Sequence, residues 1–294
     1  MKLYTAKNDY YSITVSTHGA ELVSMKGEGG FEHIWQCGGD WKDQSPLLFP
    51  VCGRIKDEKY SYKGKEYPMS SHGFAKKSEF SPVEATDNRI VMELKSNEET
   101  KKIYPFDFSL IASYELVGEE LIFTATVKNT GNEPLPYMFG WHPGFNLMTN
   151  GETDINDYRL DFPGIDSLNW FALQNGPFVN PKSTEYKLTD NAYQLCESEI
   201  YANDTMIFTG HENKTVLYSN GAPFTLEFSW SDNLPYLCIW KEEFNSAKYV
   251  CLEPWSDVPA DGVADEDFEI RKMRRLASGE SASYIYKVKA YFKK

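Results

Sequence analysis

Alternation between apolar and polar residues is strongest in one stretch, which reads Phe108-Ser-Leu-Ile-Ala-Ser-Tyr-Glu-Leu-Val-Gly-Glu-Glu-Leu-Ile-Phe-Thr-Ala-Thr-Val-Lys-Asn-Thr130. Apolar side chains at every second position give each half one apolar face, because successive side chains of a strand point to opposite faces. Gly118 and the two glutamates after it indicate a turn between the halves. The stretch therefore predicts two antiparallel strands, each with one buried face.

The same period-two pattern recurs in shorter runs along the chain. A hairpin is predicted over Tyr60–Tyr67, where Lys63-Gly64 separates two tyrosine-rich arms. Residues 150–200 have weak periodicity and many glycines and prolines. We therefore expect an irregular stretch there that forms one wall of a functional site. Neither a repeat nor a linker poor in apolar residues divides the chain. We therefore predict an all-β fold with little helix, a large antiparallel β-sandwich formed by one domain over residues 1–294. Further strands are predicted at Tyr11–Val15, Gly19–Met25, Met206–Phe208, Phe224–Trp230, Tyr236–Trp240, Tyr249–Leu252 and Tyr284–Phe292.

Composition limits the partners that the protein can have. The net charge is −13, the pI is near 4.9, and no basic stretch of useful length is present. We therefore expect neither nucleic acid nor an anionic membrane as a partner. Aromatic residues make up 15% of the chain, which suits a large sheet and also suits the C–H faces of a carbohydrate.

Cysteine usage and hydropathy indicate the compartment. The five cysteines form no CxxC pair and are odd in number, a pattern typical of reduced thiols rather than of a disulfide framework or a zinc site. Neither the N-terminus nor any later run is apolar enough to be a signal segment or to span a membrane. We expect a cytoplasmic protein, either a monomer or a homodimer.

A second stretch reads Pro136-Tyr-Met-Phe-Gly-Trp-His-Pro-Gly-Phe-Asn-Leu147 and presents a histidine at the end of a strand. The apolar run fixes the backbone before His142, and Pro143-Gly144 interrupt the strand ladder directly after it. A lone histidine in such a place is ordinarily a structural residue. Two other segments of the chain share the arrangement, and this favours a functional role.

Those segments supply His72 and Glu253. His72 follows the predicted hairpin and precedes a glycine, which allows either a turn or a close approach of the backbone to a ligand. Glu253 ends a predicted strand directly before a Pro-Trp pair. Arg54 and Asp204 are the polar residues that we expect to accompany His72, His142 and Glu253.

Two histidines and a carboxylate are compatible with several chemistries. They could form a facial metal triad, although no His-x-His spacing is present. A serine hydrolase is not indicated because Gly-x-Ser-x-Gly is absent, and glycoside hydrolysis by Glu253 with Asp204 leaves the histidines unexplained. Imidazole and carboxylate together suit proton transfer at neutral pH, which needs no metal and no cofactor. We therefore expect neither.

The chain resembles the aldose 1-epimerase (mutarotase) family, and more narrowly its LacX-like branch. The matching segments occur in the family's order and span most of the chain, so together they are highly specific. They are Gly19-Ala-Glu-Leu22, Pro46-Leu-Leu-Phe-Pro50, Gly53-Arg54, Tyr62-Lys-Gly-Lys-Glu-Tyr67, His72-Gly-Phe-Ala75, Gly140-Trp-His-Pro-Gly-Phe-Asn-Leu147 and Leu252-Glu-Pro-Trp255.

The resemblance implies a supersandwich with an open cleft on one sheet, a monosaccharide substrate and an isomerase activity. It implies that Glu253 takes the proton of the anomeric hydroxyl and that His142 protonates the ring oxygen, so that the ring opens and recloses on the other face. His72 would bind and polarise the sugar, and Arg54 and Asp204 would hold ring hydroxyls.

Two departures from the family pattern concern the substrate. This chain has Gly53 where mutarotases proper usually carry asparagine, and Lys76 where many relatives carry arginine. Both positions lie near where the sugar would be recognised, so the sequence leaves open which aldose is used and whether it is phosphorylated. A non-catalytic carbohydrate-binding or regulatory module on the same fold is the alternative, although the presence of all three reactive residues argues against it.

The flanking residues also indicate protonation states. Glu253 lies between apolar neighbours, and desolvation there should raise its pKa and make it a better base. His142, between Trp141 and Pro143, can be protonated near neutrality and is therefore expected to act as the acid.

Overall fold

The computed structural model describes residues 1–38, 41–147, 154–176, 178–219, 224–242, 248–259 and 266–292. Its strands, numbered in chain order, are β1 Leu3–Lys7, β2 Ser12–Ser16, β3 Leu22–Lys26, β4 Leu47–Leu48, β5 Lys59–Tyr62, β6 Lys65–Pro68, β7 Ser81–Ala85, β8 Arg89–Lys95, β9 Phe108–Val117, β10 Glu120–Asn129, β11 Leu135–Tyr137, β12 Gly140–Trp141, β13 Gly144–Asn146, β14 Arg159–Asp161, β15 Ser167–Trp170, β16 Leu173–Gln174, β17 Phe178–Val179, β18 Thr184–Lys187, β19 Ala192–Gln194, β20 Met206–Thr209, β21 Lys214–Tyr218, β22 Phe224–Trp230, β23 Tyr236–Trp240, β24 Tyr249–Trp255, β25 Arg274–Leu276 and β26 Ser281–Phe292. The α-helices are short, α1 Glu98–Ile103 and α2 Glu197–Asn203.

Two large antiparallel sheets dominate the described ranges. One has nine strands in the order β19-β14-β21-β22-β26-β10-β9-β8-β7, and the other has the order β18-β15-β20-β23-β24-β12-β4 with β13 also paired to β24. Smaller sheets are formed by β1-β2-β3, β5-β6, β11-β25 and β16-β17. The all-β prediction with little helix is confirmed. No helix in these ranges is both long and apolar enough to cross a membrane.

The predicted pair of long strands is present as β9 and β10, which are neighbours in the nine-stranded sheet. Tyr114 lies opposite Phe123 in the register, and their rings stack with centroids 4.5 Å apart. Both side chains are fully buried, whereas the alternate residues Ser113 and Thr124 are partly exposed. The period-two pattern therefore gives the orientation of both strands correctly.

Aromatic side chains join the two sheets. Trp141 of β12 contacts Phe123 of β10 and Tyr286 of β26, with ring centroids 4.9 and 5.4 Å apart. Phe145 of β13 packs on Phe228 of β22 at 5.4 Å. Each buried aromatic ring removes roughly 150–250 Å² of surface from water, so these contacts hold the sheets face to face as a β-sandwich.

The described part of residues 150–200 is more regular than the irregular stretch that the sequence predicts. Strands β14 to β19 and helix α2 lie there, and β14, β15, β18 and β19 belong to the two large sheets. Each of these strands has only two to four residues. Such short strands carry too few alternations to produce a period-two signal. The predicted Tyr60–Tyr67 hairpin, by contrast, is confirmed as β5 and β6.

Candidate active site

Strand register brings His142 and Glu253 together. Gly140 of β12 pairs with Trp255 of β24, and Gly144 of β13 pairs with Cys251 of β24. Continuing this register across the gap between β12 and β13 puts His142 opposite Glu253. Opposite residues of antiparallel strands have their side chains on the same face with Cβ atoms about 4.5–5.5 Å apart.

The two side chains are in direct contact. His142 Nε2 lies 3.2 Å from Glu253 Oε1, and only 8% and 1% of these side chains are exposed. Within the described residues, His142 Nδ1 and Glu253 Oε2 have no hydrogen-bond partner. Buried polar atoms are almost always satisfied in folded proteins, so both atoms are left able to hydrogen-bond to a polar molecule.

A tight turn supplies His72. The residue has a φ of 63° and Gly73 has a φ of 75°, and a Cβ on Gly73 would overlap the carbonyl of Phe49. His72 lies edge-on to His142, with ring centroids 5.5 Å apart. The Gly53 amide donates to His72 Nδ1 at 3.2 Å, so the proton of the neutral ring is on Nε2.

Packing explains the departure at Gly53. The residue has a φ of 72°, and a Cβ there would overlap the ring of Pro259. An asparagine side chain has no room in this turn. The glycine therefore serves the turn whose amide and carbonyl both bond to His72.

All five predicted site residues line one cavity of about 280 Å³, which we call the central cavity. His72, His142 and Glu253 lie within it, and the exposed Arg54 and Asp204 lie at its rim. Its volume is close to the lower end of the roughly 300–1,000 Å³ typical of ligand pockets, which suits a small molecule. Tryptophans supply much of its apolar lining, namely Trp41, Trp240 and Trp255.

Burial sets the protonation of the catalytic candidates. It raises the pKa of Glu253 well above its usual value, an effect increased by the charge of Asp204 and opposed by the indole of Trp255. Burial, His72 and Lys76 together hold the pKa of His142 well below its usual value. The expectation that His142 can be protonated near neutrality is therefore wrong, because desolvation favours the neutral imidazole.

His72 is neutral for similar reasons. Burial, with the positive charges of Lys76 and Arg54, lowers its pKa to about 3. A neutral imidazole can donate from Nε2 to a sugar oxygen without adding charge to the cavity.

Three residues could hold a metal ion. Cys251 lies two positions before Glu253 on the same face of β24, and ligand atoms of His142, Cys251 and Glu253 all lie within 4.8 Å of one another. Burial raises the pKa of the Cys251 thiol well above its usual value, so a metal would have to displace a tightly held proton. That no metal is needed stays a prediction.

The sequence prediction missed Asp43 and several apolar parts of the wall. Asp43 lines the central cavity beside Lys76, and Trp41, Leu173 and Trp240 form other parts of its lining. No local sequence motif distinguishes Asp43 from an exposed carboxylate. Its position depends on the tertiary fold.

The chain is thus a β-sandwich that brings a carboxylate and an imidazole together in a small cavity lined by aromatic residues. Comparison with known proteins gives the family: the model for aldose 1-epimerase matches residues 2–289, so the chain belongs to the aldose 1-epimerase family. This confirms the resemblance found in the sequence.

Individual relatives agree. The plasmid-encoded protein LacX of Lactococcus lactis is 28% identical over 263 residues, which are 85% of this chain and 86% of LacX. A galactose mutarotase related enzyme from Lactobacillus acidophilus has a TM-score of 0.92 and 29% identity, covering 99% of this chain and 97% of its own. A galactose mutarotase-like protein from Lactobacillus casei has a TM-score of 0.90 and 26% identity, covering 99% and 100%.

Proposed function

We propose that this protein is an isomerase that interconverts the α and β anomers of an aldose by opening and reclosing the sugar ring. The 3.2 Å contact between His142 Nε2 and Glu253 Oε1 carries the proposal. Anomerisation moves one proton off the anomeric hydroxyl and another onto the ring oxygen. Both oxygens are bonded to C1, so the base and the acid must be close neighbours, as these two side chains are.

Glu253 carries the transferable proton of the pair, and His142 is a neutral imidazole with one ring N–H. Transfer of this proton across the contact to His142 creates a carboxylate and an imidazolium, and burial makes the first a stronger base and the second a stronger acid. Glu253 then takes the proton of the anomeric hydroxyl while His142 protonates the ring oxygen and the C1–O5 bond breaks. Rotation about C1–C2 and reversal of these steps yield the other anomer, with both side chains returned to their starting states.

The remaining predicted residues bind the sugar. His72 donates from Nε2 to a sugar oxygen, and Arg54 and Asp204 hold ring hydroxyls from the rim. The tryptophan rings of the central cavity face the apolar C–H groups of a pyranose. No metal or organic cofactor takes part, because imidazole and carboxylate suffice for both proton transfers.

The test is turnover measured by exchange NMR on aldoses, with sugar binding measured separately by calorimetry. Glu253→Gln and His142→Asn should each lose about 10²–10⁴-fold in turnover, the usual contribution of a positioned acid or base, and should still bind sugar. Glu84→Gln on β7, outside the lining of the central cavity, is the matched control and should be unchanged. Near wild-type turnover in a folded Glu253→Gln protein would contradict the mechanism, and a wild type that binds sugar without turnover would favour a binding module.

We also propose a cytoplasmic location, one domain over residues 1–294, and a monomeric or homodimeric state. The absence of disulfides supports the first, since all five cysteines are free. A continuous hydrophobic core shared by the two large sheets supports the second. Light scattering of the purified protein tests the proposed monomeric or homodimeric state.

A further inference from the structure

An ion pair outside the predicted site residues lies in the wall of the central cavity. Lys76 Nζ is 2.7 Å from Asp43 Oδ2, and 19% and 35% of these side chains are exposed. The distance and partial burial make this a charge-assisted hydrogen bond rather than a loose surface pair. Both residues line the cavity that contains His142 and Glu253.

The loop that carries Asp43 is held by hydrogen bonds to residues outside the cavity lining. The carboxylate of Glu21 accepts hydrogen bonds from the backbone amides of Gln44 at 2.6 Å and Ser45 at 2.9 Å. Trp141 Nε1 also donates to the Ser45 carbonyl at 3.0 Å. These bonds hold Asp43 toward the cavity, and the Glu21 carboxyl behind it adds a further acidic group.

The segment that carries Lys76 is fixed as well. The amides of Phe74 and Ala75 both donate to the Phe49 carbonyl, at 3.0 and 3.2 Å. The backbone of Lys76 packs on Gly19, where a Cβ would lie 2.9 Å from the Lys76 carbonyl oxygen. Because both backbones are held, the pair is a fixed element of the cavity wall.

The charges in the cavity offer an anion no net attraction. Besides the histidines, the ionisable side chains among the described lining residues are two cations and three carboxyl groups, namely Arg54, Lys76, Asp43, Asp204 and Glu253. Burial raises the pKa of Glu253 and keeps it protonated, so two carboxylates balance the two cations. A phosphate monoester would bring about 1.5–2 further negative charges at pH 7. Lys76 could meet it only by leaving Asp43 unpaired beside it, and removing one partner of a partly buried ion pair is costly.

We propose that Asp43 and Lys76 form a further binding subsite, one that takes a hydroxyl group of an uncharged aldose and discriminates against aldose phosphates. A hydroxyl both donates and accepts, so it can donate to the Asp43 carboxylate and accept from a remaining Lys76 N–H while the ion pair stays intact. This inference rests on the proposed anomerase function and names the substrate class of the same cavity.

The test compares galactose with galactose 6-phosphate by exchange NMR, after subtraction of the spontaneous rates. The wild type should show a kcat/KM at least tenfold higher for galactose. Asp43→Asn frees the Lys76 charge and should lower this ratio at least tenfold. Lys76→Met keeps the aliphatic stem and should lose about tenfold in kcat/KM for galactose, in line with one lost hydrogen bond to a charged group. Lys77→Met, an exposed neighbour in the same turn, is the matched control and should behave as wild type.

Calorimetry with galactose and with inorganic phosphate tests the subsite independently of turnover. Galactose should bind the wild type, and phosphate should bind Asp43→Asn but not the wild type. A wild type that turns over galactose 6-phosphate as well as galactose would overturn the inference while leaving the proposed function intact. Absence of turnover on both sugars would contradict the proposed function, and the calorimetric result would then decide the inference alone: phosphate binding by the wild type would overturn it.

Discussion

Desolvation determines which side chain of the His142–Glu253 pair carries the transferable proton. The contact distance allows either charged or neutral partners, but burial raises the pKa of the Glu253 carboxyl and lowers that of the His142 imidazole. Both shifts disfavour separated charges. In the proposed reaction, the hydroxyl groups of a bound sugar would support the charged pair.

The first prediction concerns the pH at which this pair titrates. The carboxyl ¹³C resonance of Glu253, assigned by its absence in Glu253→Gln, should titrate well above the ordinary 4.5, and the His142 imidazole should be neutral at pH 6.5. Because the pair must hold one proton, kcat/KM should fall as the pH rises through the raised pKa of Glu253. A His142 imidazole that is protonated at pH 6.5 in the free protein would show that the pair is charge-separated instead.

The second prediction concerns metal ions. Treatment with EDTA should leave turnover unchanged, because the proton transfers need only imidazole and carboxylate. Cys251→Ser, which alters one of the three potential metal ligands, should also retain turnover since the thiol takes no part in proton transfer. Activity that is lost on chelation and restored by zinc would contradict this mechanism and assign a role to the cluster.

The reactive residues were predictable individually, but their pairing was not. In the sequence, His142 and Glu253 each follow an apolar run, which is a local signal. The predicted strand end before Glu253 is wrong, because β24 continues through Glu253 to Trp255. Their contact depends on the register between β24 and the strands on either side of His142, and this register is set by the whole sheet. Asp43 gave no local signal, because the hydrogen bonds of the Glu21 carboxylate fix its loop only in the folded chain.

At the scale of elements, two turns position residues that line the central cavity. His72 and Gly53 lie in facing turns that bond to each other, since the His72 amide donates to the Gly53 carbonyl at 2.8 Å and the Gly53 amide donates to the His72 ring. The strands provide Glu253 and fix the backbone next to His142. A residue that disturbs either turn should therefore affect both stability and the position of His72.

The third prediction compares two glycines with similar backbone conformations. Gly73 and Gly64 have φ values of 75° and 72°. A Cβ at Gly64 meets nothing within 4 Å, whereas one at Gly73 would overlap the Phe49 carbonyl. Gly64→Ala should lower the free energy of unfolding by about 1–2 kcal/mol, the strain of a left-handed alanine, and should retain turnover.

Gly73→Ala should cost at least about 2 kcal/mol more than Gly64→Ala, because backbone must move as well. It should also weaken sugar binding by displacing His72. Denaturant unfolding and calorimetry measure the two effects. Equal losses of stability in the two variants would show that the turn at Gly73 relaxes freely.

Sequence patterns predicted elements in proportion to their length. β9 and β10, of ten residues each, place five side chains on one buried face, enough for the sequence to reveal that face. β16 and β17 have two residues each and are strands only because they pair with each other. The fold class could therefore be predicted from the long central strands, whereas the edges of both sheets could not.

At the scale of the molecule, the sandwich core supports the cavity wall. Trp141 is fully buried between the sheets and donates to the Ser45 carbonyl in the loop that carries Trp41 and Asp43. The adjacent residue, His142, enters the cavity. Core packing and the site are thus joined through one short segment.

The last prediction separates the contribution of core packing from that of the cavity lining. It compares two tryptophans on opposite sides of the eight-stranded sheet. Trp141 packs between the sheets, whereas Trp240 is half-buried, lines the central cavity and lies edge-on to His142 with ring centroids 5.5 Å apart. Trp141→Ala should lower the free energy of unfolding by about 3–5 kcal/mol, the usual cost of deleting a buried aromatic side chain. Trp240→Ala should cost less than half as much and should raise the Kd for galactose about tenfold, because it removes an aromatic face available to the sugar. Trp141→Phe keeps a ring in the core and loses the bond to Ser45, so it should cost about 1 kcal/mol and weaken binding through the loop. Denaturant titration and calorimetry on the three variants measure these effects, and a Trp240→Ala protein with wild-type affinity would show that the sugar does not contact this wall.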